Sequence, residues 1–258
     1  MNSQIVPHST EKGLPFFTLD VLETKKGIDW RSISEKCGRY SSRIIAPRDL
    51  CLPDINNIRR FIPRFITPSL IFNTAAQTIE KARLSPDEIT ITLTDRNAVM
   101  ASRVCRLLPF ASQVRIITIR PEKYASACIK AMDEHGATLI VRPSYEATSN
   151  GNDIVICCDG VTTPAMENAA VFSDRRKNGC KLNFRGSGLP LLPVHSEMIP
   201  DNIDPLDFAD ALFELCGCTA YIKSSFSTVE TSCNQCEKHS PEKCLNCFSD
   251  ITKRLQIR

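Results

Sequence analysis

EITITLT (residues 88–94), followed by QVRIITIR (113–120), ATLIV (137–141) and DIVICC (153–158), is the stretch whose reading decides the fold. Each run is short, apolar and rich in β-branched residues, which fits a strand buried on both faces. Between the first two runs, residues 96–110 place Val99, Ala101, Val104, Leu107 and Leu108 on one apolar side, and a helix is expected there. Pro121 suits the first turn of a second helix that runs to about His135, with Gly136 ending it. Strand and helix alternating over short connections predict a mostly parallel sheet covered on both faces. Right-handed crossovers then make it a doubly wound α/β sheet.

Residues 88–160 resemble Rossmann-like α/β proteins at the level of fold. Dinucleotide-binding members carry a glycine-rich turn after the first strand, so that backbone can approach a pyrophosphate. The corresponding turn here reads Thr94-Asp95-Arg96-Asn97-Ala98, and no glycine occurs between Glu88 and His135. That counts against ordinary NAD binding. A helix start with free backbone N–H groups, together with Thr94, Arg96 and Asn97, still suits a phosphate or carboxylate. Equally, Asp95 can cap the helix and leave Arg96 in solvent. Arg120 ends the second run, where such folds often hold an acid for the adenosine ribose; a basic residue there suits a 2′-phosphate, or is simply a strand-end arginine. Asp159 follows the fourth run at the edge where ligands of open sheets collect. Thr94, Asn97, Arg120 and Asp159 are therefore the candidate ligand contacts. Cys157 and Cys158 should point to opposite faces, both into the core.

Working outward, residues 16–21 read as a strand and Asp29 as the N-cap of a helix carrying Trp30, Ile33 and Cys37. Gly38 falls at its end, and residues 43–46 give a short strand stopped by Pro47. Leu70, Ile71, Ala75, Ile79 and Ala82 predict a helix over 68–84. Residues 173–193 read as loop, including Arg185-Gly186-Ser187-Gly188, which resembles a phosphate-cradling loop in composition but lacks the P-loop lysine. Asp204-Pro205 opens a helix through about Leu215, and 220–226 is a strand or an extended link. The division expected is an N-terminal α/β segment (1–87), a Rossmann-like core (88–218) and a cysteine-rich tail (219–258).

The tail carries the sharpest chemical signal: Cys233 and Cys236, then Cys244 and Cys247, two CxxC hooks with Pro241 and His239 in the spacer. A two-residue spacer lets both sulfurs of a pair face one ion, and the seven residues between the hooks, 237–243, are expected to fold back as a short loop. Four thiolates suit tetrahedral zinc in a closed, structural site, or alternatively an iron–sulfur cluster. The tail resembles a small zinc-ribbon or zinc-knuckle element, a Cys-rich metal-binding element appended to the sheet.

The chain has 258 residues, 42% of them hydrophobic, and a net charge of +3, which implies no nucleic-acid partner by itself. Basic residues gather between Glu35 and Arg64, where Arg59, Arg60 and Arg64 suit an anion clamp. Thirteen cysteines without a basic, apolar leader read as reduced thiols and metal ligands, so a cytoplasmic address is expected. No run reaches the roughly 18 apolar residues of a membrane span. HExxH, GxSxG and Walker A patterns are absent, and His8, His135, His195 and His239 are scattered. The expectation is a binding or regulatory protein with a structural zinc tail, whose partners are a small anionic or nucleotide ligand and a protein met through the tail. The alternatives are an NAD(P)-dependent oxidoreductase with a degenerate nucleotide site and an iron–sulfur electron-transfer protein.

Overall fold

The computed structural model describes residues 5–9, 13, 15–21, 25, 27–47, 49–53, 57–61, 65–143, 153–159, 166, 169–174, 180–188, 198–216, 224–232 and 239–256. In chain order these form β1 (Ile5–Ser9), β2 (Pro15–Leu19), α1 (Trp30–Cys37), α2 (Ile66–Ala82), β3 (Thr90–Thr94), β4 (Gln113–Ile117), α3 (Ala125–His135), β5 (Leu139–Arg142), β6 (Asp153–Cys157), β7 (Ala170–Ser173), β8 (Leu182–Ser187), α4 (Pro205–Cys216), β9 (Thr228–Ser232) and α5 (Pro241–Gln256). Contacts divide the chain into two compact units, Met1–Pro63 with Leu191–Ala220, and Arg64–Pro190 with Tyr221–Arg258. Both units are discontinuous in sequence.

In the first unit β1 and β2 pair antiparallel, with His8 opposite Phe16 and their rings stacked 5.0 Å apart. Asp29 caps α1 as expected, its Oδ1 accepting from the Ser32 N–H at 3.1 Å. Asp204 does the same for α4, accepting from the Leu206 N–H at 2.8 Å. The strand expected at 43–46 is reduced to a single bridge between Ile44 and Arg60. Arg60 explains the local path. Its guanidinium donates to the carbonyls of Ala46, Pro47 and Leu50 at 2.6, 2.9 and 2.5 Å, satisfying a turn that cannot form a ladder. A guanidinium spent on three carbonyls no longer offers its fork to an anion.

The second unit is mixed α/β around a seven-stranded sheet in the order β5-β4-β3-β6-β7-β8-β9. All neighbours are parallel except β9, which runs antiparallel to β8. The chain enters at β3, grows outward to β4 and β5, then returns to the other side of β3 with β6. Growth therefore reverses between β3 and β6, whose ends are in register at Thr94 and Cys157. Every residue of β6 is buried, so both faces of the sheet are covered. Cys158 donates to the Pro68 carbonyl of α2 at 3.5 Å, which places Ile154, Ile156 and Cys158 on the α2 side. Val155 and Cys157 pack on the other side with Val171, Met166 and Ala169.

α2 is buried almost all round, between β6, β7 and β8 and the tail helix α5. Two of its buried polar side chains bond to carbonyls: Thr78 donates to that of Thr74 at 2.8 Å, and Asn73 to that of Ser224 at 2.6 Å. Arg103 donates to Ser69 Oγ at 3.2 Å and to Asn73 Oδ1. Although it precedes residue 88 in the chain, α2 belongs by its contacts with the sheet.

Three readings of the sequence are corrected. The α-helix expected at 96–110 is a series of turns followed by a 3₁₀ helix at Val104–Phe110, because Asp95 takes the backbone N–H groups of the first turn and Pro109 removes a later donor. Residues 182–187, expected as loop, are β8, with Arg185 opposite Glu230 and Gly186 opposite Val229. Gly186 serves packing there. A Cβ at this position would lie 1.9 Å from the Phe226 ring. The spacer around Pro241, expected as a short loop, begins a helix with proline at its first position, and Cys244, Leu245 and Phe248 are buried on it. Gly136 ends α3 in a left-handed conformation (φ 59°), with its N–H reaching the carbonyls of Ala131 and Met132.

Asp153 opens β6 only 2% exposed, and among the described residues its Oδ2 has no hydrogen-bond partner. Burial raises its pKa above the ordinary 3.8, while Arg115 pulls the other way. A carboxyl with a raised folded pKa holds its proton more tightly when folded. Its contribution to stability is thus fullest at low pH and declines as pH climbs from 3.8 through the raised value. Asp153→Asn should flatten that decline and raise the thermal midpoint at neutral pH, by about 2–4 °C for each kcal/mol relieved. Melting curves from pH 3.5 to 7.5, on the order of this range, check it; a lower midpoint in the variant at neutral pH would contradict it.

Among the described residues no helix is long and apolar enough to cross a membrane.

Candidate functional site at the carboxyl edge of the sheet

In open α/β sheets the reversal point leaves a crevice at the carboxyl ends of the two diverging strands. Here those ends are Thr94 of β3 and Cys157 of β6. Their parallel pairing brings together two side chains 65 positions apart: Thr94 Oγ1 donates to Asp159 Oδ1 at 2.8 Å. The second oxygen, Asp159 Oδ2, accepts from the Arg96 N–H at 3.2 Å. Cys157 Sγ lies 3.9 Å from Asp159 Oδ1.

Asp95 closes the same turn from below. Its backbone N–H reaches the Ile117 carbonyl of β4 at 2.9 Å. Its carboxylate is 2% exposed as a residue and accepts from the N–H groups of Val99 at 2.9 Å and Met100 at 2.7 Å. It also accepts from the Tyr124 hydroxyl at 2.6 Å. Burial first, and then the Asp95 charge it faces, push the Tyr124 pKa far up, so the phenol stays protonated and donates. The Cys158 thiol is likewise pushed up by burial, with Asp95, Cys157 and Asp159 adding to the effect against Arg103. Such a thiol is inert as a nucleophile at neutral pH. From the β4 side, Thr118 Oγ1 donates to the Arg96 carbonyl at 3.2 Å and accepts from the Arg120 N–H at 3.1 Å.

Both oxygens of Asp95 and one of Asp159 therefore take backbone donors of the kind a pyrophosphate would use in a dinucleotide-binding turn. Of the residues nominated from sequence, Thr94 and Asp159 are bonded to each other, and Thr94 is buried. Arg96 and Arg120 are exposed on the turns after β3 and β4, with Asn97 beside Arg96. Ile119 stands 56% exposed next to Arg120. The sequence signalled Asp95 as a helix cap, but not its bond to Tyr124, which depends on tertiary packing.

The cysteine tail is only half in view. Cys233 and Cys236 lie outside the described residues. Cys244 is fully buried in the first turns of α5, its Sγ donating to the His239 carbonyl at 3.7 Å. Cys247 is exposed one turn later. Residues three apart on a helix are neighbours, about 5–6 Å between Cβ atoms; here one of the two is buried and the other exposed. Among the described residues no group of three or more metal-binding side chains occurs. Elsewhere, Arg185 pairs across the sheet with Glu230 at 3.7 Å; Arg64 and His195 lie outside the described residues.

Comparison with protein families, with curated proteins and with solved structures finds no match for this chain.

Proposed function

We propose that this chain is a Rossmann-like binding or regulatory protein of the cytoplasm, which meets its ligand at the carboxyl edge through side chains instead of backbone amides. The observation that supports this is the pair of carboxylates at the reversal point. Asp95 and Asp159 already hold the amides of Arg96, Val99 and Met100, so a bound pyrophosphate must displace a charge-assisted hydrogen bond before forming its own. Arg96, Asn97 and Arg120 remain exposed, and guanidinium forks suit a small anionic group. An NAD(P)-dependent oxidoreductase is the competing reading, and Arg120 is what favours it.

A thermal-shift titration separates the two. A ligand present at a hundred times its Kd stabilises by about 2.7 kcal/mol. NAD, NADP and FAD at millimolar concentration should leave the melting temperature unchanged, whereas small di- and tricarboxylates or inorganic phosphate should raise it, and Arg96→Ala with Arg120→Ala should abolish that rise. A rise with NADP would move the reading to the oxidoreductase.

The tail, in this reading, holds one structural zinc through Cys233, Cys236, Cys244 and Cys247. Supporting it are the two CxxC spacings and the placement of Cys244 and Cys247 on successive turns of α5. Zinc would supply folding energy there and no open coordination position. Anaerobically purified protein should contain about one zinc per chain, lost when the four cysteines are changed to serine. Exposed Cys247 should react with iodoacetamide only after chelation, whereas exposed Cys51 should react in either state. Iron with labile sulfide and visible absorbance would favour the electron-transfer alternative; no metal in either protein would end both.

A further inference from the structure

The first unit turns apolar rings and guanidinium groups outward together. In its hairpin Phe16 points inward, edge-on to Phe208 of α4 with ring centroids 6.0 Å apart, and Thr18 meets His8 at 2.9 Å. Side chains alternate along a strand, so the outer face carries Ile5, Pro7, Pro15 and Phe17, where a solvated hairpin face is ordinarily polar. Phe17 is 48% exposed and Ile5 42%.

Tyr40 stands beside Phe17. It ends the 3₁₀ turn Gly38–Tyr40 that follows α1, and its ring lies 5.8 Å from that of Phe17, tilted by 47°. Arg39 holds its guanidinium 4.9 Å over the Tyr40 ring and donates to the Tyr40 hydroxyl at 2.6 Å. Two further arginines stand at the same turn. The Arg43 N–H donates to the Tyr40 carbonyl and the Arg59 N–H to the Ser41 carbonyl, both at 2.9 Å. Arg39, Arg43 and Arg59 are all exposed. Arg43 pairs loosely with Glu214 at 3.8 Å, a contact that solvent weakens. Residues 35–63 hold six basic residues against three acids, so the local field is positive.

We propose that this platform binds single-stranded nucleic acid. A base stacks on the Phe17 ring, beside the guanidinium that Tyr40 steadies, and the phosphates on either side meet Arg39, Arg43 and Arg59. Aromatic rings set among guanidinium groups recognise unstacked bases and their backbone together; in a duplex the bases already stack on one another and the ring goes unused. A proline-rich peptide would use the rings and leave three positive charges unmatched. An anionic membrane favours guanidinium groups at the rim of an apolar patch, whereas Arg39 lies across the aromatic ring itself. The platform is built from the first unit alone and does not rest on the reading of the carboxyl edge.

Fluorescence anisotropy of the protein with labelled oligo-dT or oligo-U, against a duplex of equal length, tests this. Single strands should bind more tightly than the duplex, with a log–log salt slope of about −2 for three phosphates. Phe17→Ala should weaken single-strand binding about tenfold or more. Phe17→Trp should retain it, and the added indole emission should be quenched by the oligonucleotide, which separates stacking from folding. Arg39→Gln or Arg59→Gln should each flatten the salt slope by about 0.7. Absence of single-strand binding at low salt, single-strand binding that Phe17→Ala leaves unchanged, or capture of phosphatidylserine vesicles or a polyproline peptide in place of the oligonucleotide would overturn the proposal.

Discussion

Asp95→Ala should cost about 3–5 kcal/mol, the loss typical of stripping a buried charged acceptor from its partners. Against a total stability of about 5–15 kcal/mol, that removes between about a fifth and the whole of the margin. The reason is the number of groups orphaned at once. The N–H groups of Val99 and Met100 and the Tyr124 hydroxyl all lose their acceptor. Asp95→Asn keeps one oxygen and should be intermediate. Tyr124→Phe removes a single bond and should cost about 1 kcal/mol. Urea melts followed by circular dichroism rank the three, and a change below that of Tyr124→Phe for Asp95→Ala would show the carboxylate does not organise the turn.

Gly186→Val should be comparably damaging for a steric reason. A Cβ at residue 186 lies 1.9 Å from Phe226 Cδ2, and Phe226 cannot easily swing aside. Its N–H is held by Thr74 Oγ1 at 3.0 Å, and Ser224 just before it is held by Asn73. Both anchors sit on buried α2. Overpacking of this kind typically costs about 1–3 kcal/mol for an added methyl, and more for a branched side chain. Gly186→Ala is the milder form. Phe226→Ala alone should cost about 3–5 kcal/mol, and adding Gly186→Ala to it should cost little further, because the obstructing ring is already gone. Additive losses in the double variant would mean the clash lies elsewhere.

These residues also show what the sequence could and could not reveal. β3, β4, β5 and β6 were legible because each is a continuous apolar run between turn signals, and the helix ends at Asp29, Gly136 and Asp204 because caps act locally. Thr94 and Asp159 were legible as residues at the carboxyl ends of parallel strands, but that their two strands are neighbours comes from the strand order. What stayed hidden depends on distant partners. The apolar spacing at 96–110 fits an α-helix until Asp95 claims its first amides, and Tyr124 completes that claim from 29 positions away. Gly186 reads as a loop residue until Phe226, from across the β8–β9 pair, is seen against it. In α5 the cysteine spacing drew attention from the helical face that Cys244, Leu245 and Phe248 present to the core. The anion clamp loses Arg60 for the same reason: it is bound to three carbonyls at 10, 13 and 14 positions' distance.

Isothermal titration of the protein with NADP, alongside Asp159→Gly, tests most directly whether the reversal point is held shut by the chain's own carboxylates. The wild type should give no binding heat, and the variant, with the Arg96 amide released and the acidic side chain removed, should gain measurable affinity for pyrophosphate and NADP. Tight NADP binding by the wild type, unchanged or weakened in Asp159→Gly, would contradict the account.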